Sequence, residues 1–158
     1  MSEFLDLISL TMNRAQNILG PMVFDNPAIR GESGSRSMTF YEYTEPPRTS
    51  GDKLQPFTVV RLPAGSVDGG GKGKSGIYVI ILSVSIWSWD EVEGSRKILE
   101  VVEQFTKLRN QTDYSPYKLI PPIDFAIGDA LGEQIAPNIF EAVVKLTFDR
   151  ATIFKNTL

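Results

Sequence analysis

Leu5, Ile8, Met12, Ala15 and Leu19 recur at spacings of three and four, which lays one apolar stripe along an opening helix. Gly20-Pro21 stops it. Residues 21–36 hold Pro21, Asn26, Pro27, Gly31 and Gly34 among scattered charges and read as a loop. Met38, Phe40, Tyr41 and Tyr43 give residues 37–43 the bias of a first strand. A second loop, rich in proline, covers 45–55, and Phe57 to Leu62 is a second strand.

Ile77 to Trp89 carries the strongest strand pattern, with Tyr78, Ile80, Leu82, Val84 and Ile86 on one face. The other face starts apolar at Ile77, Val79 and Ile81 and turns polar at Ser83 and Ser85. That gradient predicts a strand covered on both faces at its first end and half-exposed at its second. Asp90 and Glu93 form a capping box for a second helix, whose stripe is Ile98, Val101, Val102, Phe105 and Leu108. Lys107 and Arg109 suit the negative pole at its end.

Residues 117–127 alternate through Tyr117, Leu119, Ile123, Phe125 and Ile127, but Pro121-Pro122 requires an edge strand or a bulge there. In residues 139–148, Phe140, Ala142, Val144, Leu146 and Phe148 face in while Glu141, Lys145 and Thr147 face out. Ala151 to Phe154 reads as an extension of that strand. The order is helix, three strands, helix, two strands. It predicts an α+β fold over residues 1–158, one domain with a mixed or mostly antiparallel sheet of about five strands and two main helices on one face. The opposite face is partly polar yet offers Trp87 and Trp89, which read as core or subunit packing rather than ligand stacking.

Composition narrows the chemistry. The chain has 158 residues, with no histidine and no cysteine. Triads built on histidine, thiolate nucleophiles, disulfides and thiolate metal sites therefore fall away. A net charge of −3 without a basic run argues against a broad nucleic-acid surface. The acidic start Met1-Ser2-Glu3-Phe4-Leu5-Asp6 does not read as a signal peptide, and the apolar run from Ile77 to Leu82 is too short to span a bilayer.

Two motifs need weighing. Asp68-Gly69-Gly70-Gly71-Lys72-Gly73-Lys74-Ser75 ends like a phosphate-binding loop, but Asp68 stands where that loop needs glycine, and a strand rather than a helix follows. A β-hairpin tip is the better reading. At such a tip Lys72, Gly73 and Lys74 form a possible interface loop for an acidic partner, with a plain solvated loop as the alternative. Asp124, Asp129 and Glu133 lie close in sequence and could in principle support hydrolysis or hold a hard cation, though nothing completes a metal motif.

The succession of segments resembles the tail terminator proteins of long-tailed bacteriophages, as found in phages and prophages of Gram-positive hosts. It begins at Pro56-Phe57-Thr58-Val59-Val60-Arg61-Leu62-Pro63 and runs on through the strand at Ile77 to Ile86 and the acidic turn and helix from Asp90 to Leu99. It continues through Tyr117-Lys118-Leu119, Pro121-Pro122-Ile123 and Glu133-Gln134-Ile135-Ala136-Pro137 into the last strand. The glycine-rich stretch at 69–73 and the long loop at 44–55 depart from the pattern. The resemblance implies a virion protein without catalytic residues, metal or cofactor. It would form a homo-oligomeric, hexameric ring that caps the tail tube and meets a head-completion or connector protein. DNA would pass through without being read, no membrane would be involved, and assembly would occur in the host cytoplasm. Another neck or tail-completion protein is the alternative, and a small nucleotide-binding or hydrolytic enzyme stands further off. Charge reversal at Lys72 and Lys74 is expected to weaken docking to an acidic neighbour while unfolding midpoints stay unchanged, because loop substitutions away from a core shift stability by only about 0.5 kcal/mol.

Overall fold

The computed structural model describes residues 3–42, 55–67, 76–110, 117–128 and 138–150. Helix α1 spans Glu3–Leu19 and buries Leu7, Ile8, Thr11, Ala15 and Leu19. Thr11 sits in this apolar stripe because its hydroxyl donates to the Leu7 carbonyl at 2.8 Å. Met12, expected on the stripe, only flanks it, and nothing is described of the Leu5 side chain.

The expected loop at 21–36 proves to be partly strand. β1 (Val23–Phe24) pairs antiparallel with β2 (Arg36–Ser37), with Phe24 buried. Strands of two residues leave no periodicity to read, which is why the pattern missed them. The expected strand at 37–43 is split accordingly: β2 ends at Ser37 and β3 (Thr39–Glu42) joins the main sheet.

That sheet has the order β3-β4-β5-β7-β6, with β4 at Phe57–Val67, β5 at Gly76–Trp87, β6 at Tyr117–Ile127 and β7 at Ile139–Arg150. β3 runs parallel to β4 and every other neighbour is antiparallel, so the sheet is mixed. β4 continues past Leu62, where the sequence reading ended it. The register slips between Arg61 and Ala64, so the strand passes Pro63, which has no amide to donate, as an irregularity. β6 is an edge strand with its register shift between Ile120 and Asp124, as Pro121-Pro122 required.

One face of the sheet carries Tyr78, Ile80, Leu82, Val84 and Ile86 from β5 beside Ala142, Val144, Leu146 and Phe148 from β7, all buried. They form one core with α1 and with Ile98, Val101, Val102, Phe105 and Leu108 of helix α2 (Glu91–Thr106) and the 3-10 turn after it. Asp90 caps α2, its Oδ1 accepting from the Val92 amide at 3.0 Å. Glu93 does not close the box. The Asp90 amide is taken by Ser88 Oγ at 3.3 Å, and Glu93 turns to Arg96 at 3.6 Å. One turn into α2, Gly94 is buried against β7, where a β-carbon would run into the Phe140 ring. Glycine there sets how closely helix and sheet approach.

The outer face of β5 reverses its expected gradient. Ile77, at the apolar end, is 47% exposed, whereas Ser85 and Trp87 at the other end are buried with Phe57 and Val59 of β4. Ser85 tolerates burial because Gln55 Nε2 donates to its hydroxyl at 3.3 Å. Phe57 lies directly across from it, with Tyr41 edge-on to the Phe57 ring at 6.3 Å. A serine on a strand thus marks a partnered position here rather than a wet one.

Phe105 on α2 and Leu146 on β7 are both fully buried, one in each layer. Truncating either to alanine is expected to cost about 2–5 kcal/mol, read as a lower denaturant midpoint at unchanged slope.

Candidate functional site

Where β5 ends, Ser88 and Trp89 turn the chain toward α2. Asp25, just after β1, reaches this corner: its Oδ2 accepts from the Trp89 amide at 3.0 Å and lies 3.2 Å from Ser88 Oγ. Ser88 Oγ is also 2.9 Å from the Asp90 carbonyl, and its single proton serves one of the two acceptors at a time. The Ser88 backbone is held from the other side, its amide donating to the Asn138 carbonyl at 3.0 Å and its carbonyl accepting from Asn138 Nδ2 at 2.9 Å. One corner thereby ties together the β1–β2 ribbon, β5, α2 and the entry to β7.

Trp87 and Trp89 meet here edge to face, with ring centroids 4.3 Å apart. The expectation that they share one strand face is corrected, because β5 stops at Trp87 and Trp89 belongs to the turn. Arg30 lies over the Trp89 ring at 5.6 Å, and Lys97 over Phe24 at 5.4 Å. A cleft of about 220 Å³ opens between Phe24, Asp25, Trp87, Trp89, Glu93 and Lys97. Asp25 already holds the corner and Asp90 already caps α2, so the cleft is a seam between ribbon and helix.

The other sequence-derived sites are scattered. Asp124 is exposed on β6, while Asp129 and Glu133 lie outside the described residues, as do Lys72, Gly73 and Lys74. The flanks of that last loop are described: Val67 of β4 pairs with Gly76 of β5, so the segment joins two antiparallel strands and no helix follows Ser75. The structural context of a phosphate-binding loop is missing. Among the described residues no group of three or more His, Cys, Asp or Glu could hold a metal ion, and no helix is long and apolar enough to cross a membrane.

What the described residues show instead is apolar surface left uncovered. On the outer face, exposed Ile77 continues into half-buried Val79, Ile81, Val143 and Ile120, bordered by Arg61 and Lys145. Arg61 donates to Ser83 Oγ at 3.0 Å. On edge strand β6, Phe125 is 56% exposed although it pairs with Val144 and so shares the helix-covered face. It sits on the outermost strand, where that cover gives out. Alternation alone did not reveal this, because it reports which face a residue takes and not how far the cover reaches. No protein-family model matches the chain, and no curated protein matches it in sequence.

Asp25→Ala is expected to lower stability by about 1–3 kcal/mol, because it takes away the acceptor of the Trp89 amide, while the Ser88 hydroxyl keeps the Asp90 carbonyl. Near-ultraviolet circular dichroism of the tryptophan pair should change while far-ultraviolet helix signal persists.

Proposed function

We propose that the chain is a ring-forming tail terminator of a long-tailed bacteriophage. Copies close into a hexameric ring on the head-proximal end of the tail tube, stop its elongation, and present a surface for the head-completion or connector protein. The observation that carries this reading is a sheet sealed by helices on one face whose outer face and β6 edge still expose Ile77 and Phe125. Exposed apolar groups at a sheet edge and on a sheet face suit a protein that associates. Ring closure needs two different patches per subunit, and this subunit has distinct surfaces to supply them.

Of the segments that carry the resemblance, Glu133 to Pro137 lies outside the described residues and the others fall on regular elements. Residues 56–63 lie along β4, 77–86 along β5, 90–99 at the cap and first turns of α2, and 117–123 on the edge strand. The chemistry assigned to this role is contact alone, with no cofactor and no catalytic group, and its place is the virion tail.

The test is assembly with purified tail tube protein. Bound material is expected only at one end of each tube, with elongation arrested on addition. In infected cells, loss of the protein is expected to give overlong tails without heads. Tails of normal, uniform length joined to heads in its absence would refute the assignment.

A further inference from the structure

We infer that neighbouring copies join by strand addition, the free edge of β3 in one copy pairing antiparallel with residues 123–127 of β6 in the next. This rests on the ring reading and names its interface. Among the described residues no strand lies beyond β3 or β6, so each ends its side of the sheet.

Four features of these two edges match. The first is direction: β3 is parallel to β4, and three antiparallel steps lead from there to β6, so the edges run oppositely. A copy added in the same orientation therefore meets its neighbour antiparallel. The second is level. Phe40 pairs with Thr58, Thr58 with Val84, Val84 with Ala142, and Ala142 with Ile127. The parallel row runs Tyr41, Val59, Ser83, Val143, Ala126. The two edges thus lie at the same height of one sheet.

The third is length. Pro121 and Pro122 cannot donate to a ladder, and the register slips there, so β6 offers a short pairing segment after them. β3 is 4 residues long, and the segment from Ile123 to Ile127 accommodates it. The fourth is face. In level register Phe40 stands opposite Ile127 and Tyr41 opposite Ala126, each pair on one side of the joined sheet. Phe125 is then diagonal to Phe40, within reach of an aromatic ring. A stagger of two residues would put Phe40 opposite Phe125 and keep the faces, whereas a stagger of one would invert them. Either allowed register covers the exposed Phe125.

The chain contains no cysteine, so introduced thiols can bridge only each other. Directly opposed residues bring their β-carbons to about 4.5–5.5 Å, close to disulfide range. Phe40→Cys with Ile127→Cys is the level pair, Phe40→Cys with Phe125→Cys the staggered one, and Tyr41→Cys with Ala126→Cys sits on the opposite face should the first two unfold the protein. Oxidised on tube ends or in concentrated solution, at least one double variant is expected to give a ladder of covalent oligomers ending at the ring, with each single variant staying monomeric on a denaturing gel. A single Ile127→Cys or Phe125→Cys variant that yields dimers would show two-fold β6–β6 pairing and overturn the inference. If wild-type rings cap tubes and no folded double variant bridges, the inference is wrong and the ring reading stands. If wild-type protein never joins tube ends, the ring reading itself fails, and a bridged ladder in solution would still establish the edge pairing.

Discussion

Every larger feature of this structure follows from the need to cover one stripe, the Tyr78-Ile80-Leu82-Val84-Ile86 face of β5. Fully burying such a side chain is worth about 1.5–3 kcal/mol, so five in line on a central strand outweigh any local preference nearby. Neighbouring β7 adds four buried residues to the same face, and two amphipathic helices are needed to roof the combined surface. Both helices are consumed by that demand, and no third is described. The outer face is left to manage with what the strands carry, which is why its Ile77 end stays open.

How the roof is positioned depends on polar contacts at one corner. Ser88 and Asp25 fix the turn between β5 and α2, and Asp90 starts the helix at once. Within a turn, Gly94 brings the helix backbone down onto Phe140. A cap followed immediately by a close approach leaves α2 little freedom in where it crosses the sheet. The same corner anchors the small β1–β2 ribbon, which contributes Phe24 to the core through a segment with little other regular structure.

The elements that span many residues were legible in the sequence: α1, β4, β5, α2, β6 and β7, with the edge position of β6 read from Pro121-Pro122. Periodicity accumulates with length, and these segments are long enough to show it. The misreadings have specific causes. Ser85 looked like a half-exposed position because its type is polar, but it has a hydrogen-bond partner that allows burial. Glu93 looked like the second half of a capping box, but Ser88 had already taken the amide it would have used. Alternation placed Phe125 on one side of the strand, but the lateral reach of the helices decides that it is exposed. The candidate site was less legible than the fold, since exposed apolar surface is set by what the cover omits and carries no motif of its own.

An edge strand that exposes an aromatic ring is an aggregation hazard unless something limits its pairing. In β6 the limit is the proline pair, which interrupts an 11-residue strand and shortens the segment open to a partner. At the opposite edge, β3 is short for its own reason: the chain enters it directly from the β1–β2 ribbon, with only Met38 between. Both edges are thus too brief to hold two copies together strongly. In the proposed ring this brevity becomes useful. Weak edge pairing leaves free subunits apart at ordinary concentration. A tube end that binds several copies raises their local concentration, and each added strand pairing then becomes effectively intramolecular. The last pairing closes the ring without costing any further freedom of a free subunit. Assembly would therefore be confined to the place where a terminator is needed, by the same short edges that keep the isolated subunit from aggregating.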